Sequence, residues 1–192
     1  EGLPVIDSFF ELIRVAIGNR VCLSRVPTAA EWNALYSLSV KQAVAGVCFC
    51  GVQRLQKEQL VEMPVRLKLQ WFALATQIKA RNELLTHRCV EVQRMLAEEG
   101  MKSCILKGQG VAKLYKIRSE ELGVRNGVNL GLYRQSGDID VWVDKVRDDV
   151  IDFVMQNAPT RVFDQKHIHF HVFEDVDVEM HWIPVYRDSP RF

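Results

Sequence analysis

Asp138 and Asp140 sit in a run, Asp138 to Val143, that alternates polar and apolar residues. On a β-strand, residues two apart face the same way. The two carboxylates are then neighbours, about 6.6 Å apart along the strand. Their like charges are costly together unless cations neutralise them. Hard divalent ions take oxygen ligands of this kind, and two ions about 3.5–4 Å apart can bridge such a pair and a substrate phosphate. Asp-x-Asp also occurs on solvated strand faces, so a third carboxylate matters. From Val176 to Trp182 the alternation returns. Asp177, Glu179 and His181 share one face, and Val176, Val178, Met180 and Trp182 share the other, the core side. If this strand lies beside the first, Glu179 or Asp177 completes a three-carboxylate metal cluster. The plainer reading is the outward polar face of an edge strand.

Two further groups could do chemistry. His167, His169 and His171 place three imidazoles on one strand face. Neutral histidine is a common ligand for zinc, iron or copper. With Glu174, Asp177 or His181 nearby, a transition-metal hydrolase or oxygenase is an alternative function. A polar strand face, or rings lining a nucleotide cleft, accounts for the same pattern. Upstream, Ile105-Leu106-Lys107-Gly108-Gln109-Gly110 reads as a strand, a glycine turn and a helix start. A helix start offers free amides to an anion, glycine lets a phosphate approach the backbone, and Lys107 adds a point charge. The spacing is neither that of a Walker loop nor that of a dinucleotide fingerprint.

The elements that must position these groups follow from periodicity. Ile6–Ile17 has helical spacing, with Gly18-Asn19 as its stop. Thr28 and Glu31 have the capping-box form and open a second helix, which Gly46 is expected to end or kink before a short helix to about Lys57. Pro64 opens and Gly100 closes a long helix striped by Leu67, Trp71, Leu74, Ile78, Leu85, Cys89, Val92 and Leu96. After Gly100 the period changes: strand 104–106, helix 111–116, loop 117–135, strand 138–143, helix 147–156, then an antiparallel pair at 167–173 and 176–182. The expected fold is α+β, with a helical region over 1–100 packed on a small mixed sheet of four or five strands over 101–192.

Composition narrows the function. The 192 residues carry 25 Lys plus Arg against 24 Asp plus Glu, so bulk electrostatics gives no grip on a long nucleic acid. No apolar run is long enough to span a membrane, and the start has no basic-then-apolar leader. The five cysteines, an odd number without a CxxC pair, read as free thiols in a reducing, cytoplasmic compartment. The first residue is Glu1, not Met, so a trimmed chain is expected, with more sequence beyond Phe192.

Taken in order, the glycine turn, the paired-Asp strand, a helix and a carboxylate on a later strand resemble the nucleotidyltransferase superfamily with the DNA polymerase beta-like fold. The segments Ile105–Gly108, Arg134–Asp140 and Val178–Trp182 are similar to a branch of uncharacterised bacterial nucleotidyltransferases, whose members carry Leu-Lys-Gly, Arg-x-x-Gly-Asp-Ile-Asp and Glu-x-His-Trp-like segments. The resemblance covers about residues 100–185. It implies that Gly108 is the phosphate-loop glycine and that Asp138 and Asp140 are paired metal ligands. It makes Glu179 the third acidic position, ligating the catalytic metal or deprotonating the acceptor. Asp177 is a further candidate ligand. Gln109 stands where many members have a serine on the terminal phosphates, and the gap from Gly108 to Asp138 is longer than in compact members. Lys107, Arg134 and Ser136 are then expected to help hold the nucleotide. The implied reaction is Mg²⁺-dependent transfer, with two ions, of a nucleoside monophosphate from a nucleoside triphosphate to an unidentified hydroxyl acceptor. The same fold could instead serve as a non-catalytic nucleotide-binding module.

Overall fold

The computed structural model describes residues 3–112, 114 and 129–184. Among these it is α+β, with six α-helices and one mixed four-stranded sheet. The chain divides into two compact units, Glu1–Asn82 with Ala112–Gln135, and Glu83–Val111 with Ser136–Phe192. No described helix is long and apolar enough to cross a membrane.

The first unit is built from α1 (Leu3–Ala16), α2 (Ala29–Lys41), α3 (Ala45–Lys57) and the start of α4 (Val65–Glu98). Its core holds Leu12, Trp32, Leu35, Phe49, Leu55 and Trp71. Both buried indoles satisfy their N–H groups, Trp32 on the Glu62 carbonyl at 3.1 Å and Trp71 on the Ala45 carbonyl at 2.8 Å. The capping box forms as its residues require: the Thr28 hydroxyl accepts from the Glu31 amide, and the Glu31 carboxylate accepts from the Thr28 amide. Asn82, almost fully buried, donates to the carbonyls of Leu132 and Arg134 and so ties a 3₁₀ turn, Leu130–Tyr133, to α4.

Helix ends explain one correction. Gly46 does not end α2; it lies in the first turn of α3. The stop is three residues earlier. Ala43 takes φ +55°, its amide donates to Val40, and the Val44 amide reaches back to Ser39. That is the six-to-one, five-to-two closure of a Schellman motif. Gln59 closes α3 in the same way with φ +56°. Glycine fills the equivalent position after α1 and α4, at Gly18 and Gly100. A search for glycine therefore finds two of the four ends.

In the second unit the strands are β1 (Ser103–Ile105), β2 (Ile139–Val143), β3 (His167–His169) and β4 (Val178–His181), in the order β1-β2-β4-β3. β2 runs parallel to β4, and the outer strands are antiparallel to their neighbours. One face is apolar: Ile139, Val141, Val143, Ile168, Val178 and Met180. It packs under α6 (Arg147–Asn157) and the later turns of α4 through Phe153, Val150, Leu85, Val92 and Leu96. Burial of these side chains from both sides supplies the main stabilisation of the sheet. The other face carries the polar residues.

The helix expected at 111–116 starts earlier. α5 is Lys107–Ala112, with a break at Gly108 (φ +43°, ψ −116°) that only glycine enters without strain. Residues 113, 115 and 116 of the expected helix and 117–128 of the expected loop lie outside the described residues.

The left-handed Ala43 gives a stability test. Ala43→Gly should raise stability by about 0.5–1 kcal/mol, since relief of the Cβ clash exceeds the added freedom of the unfolded chain. It is read as a higher urea midpoint with an unchanged slope.

Candidate functional site

The parallel register of β2 and β4 sets Asp140 opposite Glu179 and Trp142 opposite His181. Side chains at paired positions share a face, so the carboxylates of Asp140 and Glu179 come together from strands 39 residues apart in sequence. Antiparallel β3 then sets His169 opposite Glu179 and His167 opposite His181. This face of the sheet is thus a patch of two carboxylates and three imidazoles.

Asp140 is its most buried member, at 4% exposure. One oxygen meets His181 Nε2 at 3.0 Å and the other meets Lys107 Nζ at 3.0 Å. Burial alone pushes this carboxyl up. His181 and Lys107 together outweigh it and hold the group below its ordinary value. Lys107 is correspondingly pushed up, chiefly by its bond to Asp140 and further by the nearby charges of Asp138 and Glu179. Its side chain is mostly solvent-exposed, so the ammonium reaches the site from the rim.

The glycine turn is adjacent. The Leu106 amide donates to the Asp140 carbonyl at 2.8 Å, which brings the end of β1 against β2. The Cβ position of Gly108 lies 3.9 Å from the Asp138 carbonyl. Gly110 packs so closely that a Cβ there would strike the carbonyl of Ile105. In the Gly-x-Gly pair, one glycine is needed for its backbone angles and the other for close approach. A cavity of about 770 Å³ opens on this face. Its walls include Leu106, Lys107, Asp140, Asp164, Glu179 and His181.

Other residues singled out from the sequence fall differently. Asp138 is half-buried, one step before β2. It neighbours Lys107 electrostatically, but its carboxylate is outside the tight donor groups found among the described residues. Those groups are Asp140–Glu179–His181 and His167–His169–Glu179. Asp177 is exposed, and it meets β2 through its carbonyl, which accepts from the Ile139 amide at 2.9 Å. His171 is exposed and belongs to neither group. Gln109 accepts from the Thr86 hydroxyl at 3.4 Å. The Ser136 hydroxyl is buried without a hydrogen-bond partner among the described residues, and Ser136 is not in the cavity lining. Arg134 belongs to the first unit, where its carbonyl takes the Asn82 amide. Alternation puts His181 on the polar face with Asp177 and Glu179 and near the histidine run, and assigns it no partner on the Asp140 strand. Its role as the partner of Asp140 was visible in one signal: it follows Glu179 by two on an alternating strand. Asp164 had no comparable signal, because it lies in a loop.

Comparison with known proteins gives one family match. Residues 28–120 match the model of a family described as uncharacterised nucleotidyltransferase. The match includes Lys107, Gly108 and Gln109 and ends before Asp138, Asp140 and Glu179. No curated protein and no solved structure matches the chain.

The ion pair on Asp140 sets a pH dependence. Its folded carboxyl titrates below the ordinary value of 3.8, so the stability it contributes is complete above that value and is lost as pH falls through the folded one. Lys107→Met removes a cation from one oxygen and should move the Asp140 midpoint upward. Carboxyl-carbon NMR titration of wild type and variant checks this; equal midpoints would contradict it.

Proposed function

We propose that the protein is a nucleotidyltransferase that moves a nucleoside monophosphate from a nucleoside triphosphate to a hydroxyl acceptor, releasing pyrophosphate. One observation carries this reading. Asp140 and Glu179, from adjacent parallel strands, and Lys107, beside the glycine turn, face one cavity. The family match over residues 28–120 supports it independently.

The donor set fits a hard cation. Asp140 and Glu179 would supply carboxylate oxygens, the ligands that Mg²⁺ prefers, and Asp138, outside their group, would have to turn in as the third. A positive charge already stands at the outer oxygen of Asp140, in the form of the Lys107 ammonium. Bound there, Mg²⁺ (two ions are expected) would neutralise phosphate charge and lower the pKa of the acceptor hydroxyl. This chain's own residues do the rest. His181 holds Asp140 ionised and correctly turned through its 3.0 Å contact. Lys107 is within reach of both the carboxylate and an incoming phosphate, so in this reading it exchanges one anion for the other. Gly108, lacking a Cβ, lets a phosphate approach the turn. α5 has six residues, too few aligned peptides for a strong dipole, so the grip on the triphosphate falls to Lys107. Glu179 is the candidate to accept the acceptor's proton. The catalytic demand is for positioning and charge stabilisation more than for covalent help.

The test is pyrophosphate release with each of the four ribonucleotides and a panel of small alcohols. Release should require a divalent ion, cease with chelator, and fall at least about a hundredfold in Asp140→Asn. Release unchanged in the Asp138→Ala/Asp140→Ala double variant would refute the reading. Nucleotide binding without turnover would point to a binding module instead.

A further inference from the structure

The two imidazoles of the second donor group have no part in the proposed transfer. His167 and His169 alternate out of β3 onto the polar face, and both aim Nε2 at the Glu179 carboxylate. The separations are 3.8 Å from His167 to Oε2 and 4.0 Å from His169 to Oε1. Neither is a hydrogen bond. In a tetrahedral site with metal–donor bonds of about 2.0–2.1 Å, donors stand about 3.4 Å apart. Each imidazole therefore needs to approach the carboxylate by only about half an ångström, and one ligand atom from each of the three residues already lies within 4.8 Å of the others.

Three further features fit a metal. The side chains are half-buried, with exposures of 13% for His167, 28% for His169 and 22% for Glu179, so an ion can enter from solvent. Behind His167, Asp164 Oδ1 lies 3.2 Å from the ring Nδ1, where a carboxylate orients a metal-bound imidazole. That contact is not angled as a hydrogen bond, and Nδ1 is buried with no hydrogen-bond partner among the described residues, so a small turn of the ring toward an ion would be needed to complete it. Asp164 is itself fixed by the amides of Lys166 and His167.

We infer that His167, His169 and Glu179 form a site for a borderline transition-metal ion of the zinc class, adjoining the proposed hard-cation site and sharing Glu179 with it. Two imidazoles and one carboxylate match zinc better than Mg²⁺, which takes oxygen ligands. His181 Nε2 also lies 3.5 Å from Glu179 Oε2, but its 3.0 Å bond to Asp140 is the shorter contact and holds it in the other group, and His171 is exposed. Three protein ligands leave one coordination position open to water. The sites meet at Glu179, which belongs to both groups.

The inference does not depend on transferase activity, because the ion is read directly. The whole chain, purified without a histidine tag and stripped with chelator, is titrated with Co²⁺ in the absence of nucleotide. One equivalent should give the intense visible bands of low-coordinate cobalt, and one equivalent of Zn²⁺ should bleach them. His169→Gln should weaken binding at least tenfold, His167→Gln likewise, and Asp138→Asn should leave the bands in place. Circular dichroism confirms that each variant is folded. Absence of the bands in wild type, or bands unchanged in both histidine variants, overturns the inference.

Discussion

Asp140 is an ionised carboxylate at 4% exposure on a central strand of the sheet. A buried charge of that kind persists only when it is paired and hydrogen-bonded. His181, from the neighbouring strand, covers one oxygen, and Lys107, from the turn after β1, covers the other. Both contacts depend on register. A slip of one residue between β2 and β4 would turn the polar set into the apolar core and leave Asp140 with neither partner. The pairing therefore ties three separate chain segments to one geometry.

The two faces of the sheet reinforce each other. Ile139, Val141, Val178, Met180 and Ile168 fill the buried side so closely that each alternate residue is committed to the other side. Hydrophobic packing thus decides the direction in which Asp140, Glu179, His167, His169 and His181 point. Hydrogen bonding then refines where they stop. The site needs no long-range device, because parallel pairing brings residues 140 and 179 to adjacent positions. The break at Gly108 allows the chain to turn from β1 into α5 while leaving Lys107 at the rim.

Much of this was legible in the residues. Period-two alternation found the site-bearing strands, because each has one apolar and one polar face. Pro64 and Gly100 bracketed the long helix, and the Thr28–Glu31 spacing marked the start of α2. The order of glycine turn, paired Asp and later Glu indicated which carboxylates to compare. What stayed hidden depended on tertiary geometry. Ala43 ends α2 in a conformation usual for glycine, so no local residue type announced it. The choice between Asp177 and Glu179 depended on strand register, which places Glu179 beside Asp140 and Asp177 at the exposed end. Alternation makes Asp138 an equal partner of Asp140, yet it lies just before the strand. The three-histidine pattern predicted His171 in the cluster, but β3 ends at His169, and the register supplies Glu179 instead.

The proposed reading comes down to whether cations and a triphosphate gather at the Asp140 carboxylate. The most direct measurement is a crystal structure of the protein with a non-hydrolysable nucleoside triphosphate and Mg²⁺. The reading predicts metal density between Asp138, Asp140 and Glu179, with Lys107 moved from Asp140 onto the phosphates. A nucleotide bound away from this face, or Lys107 still paired with Asp140 and no metal between the carboxylates, would contradict it.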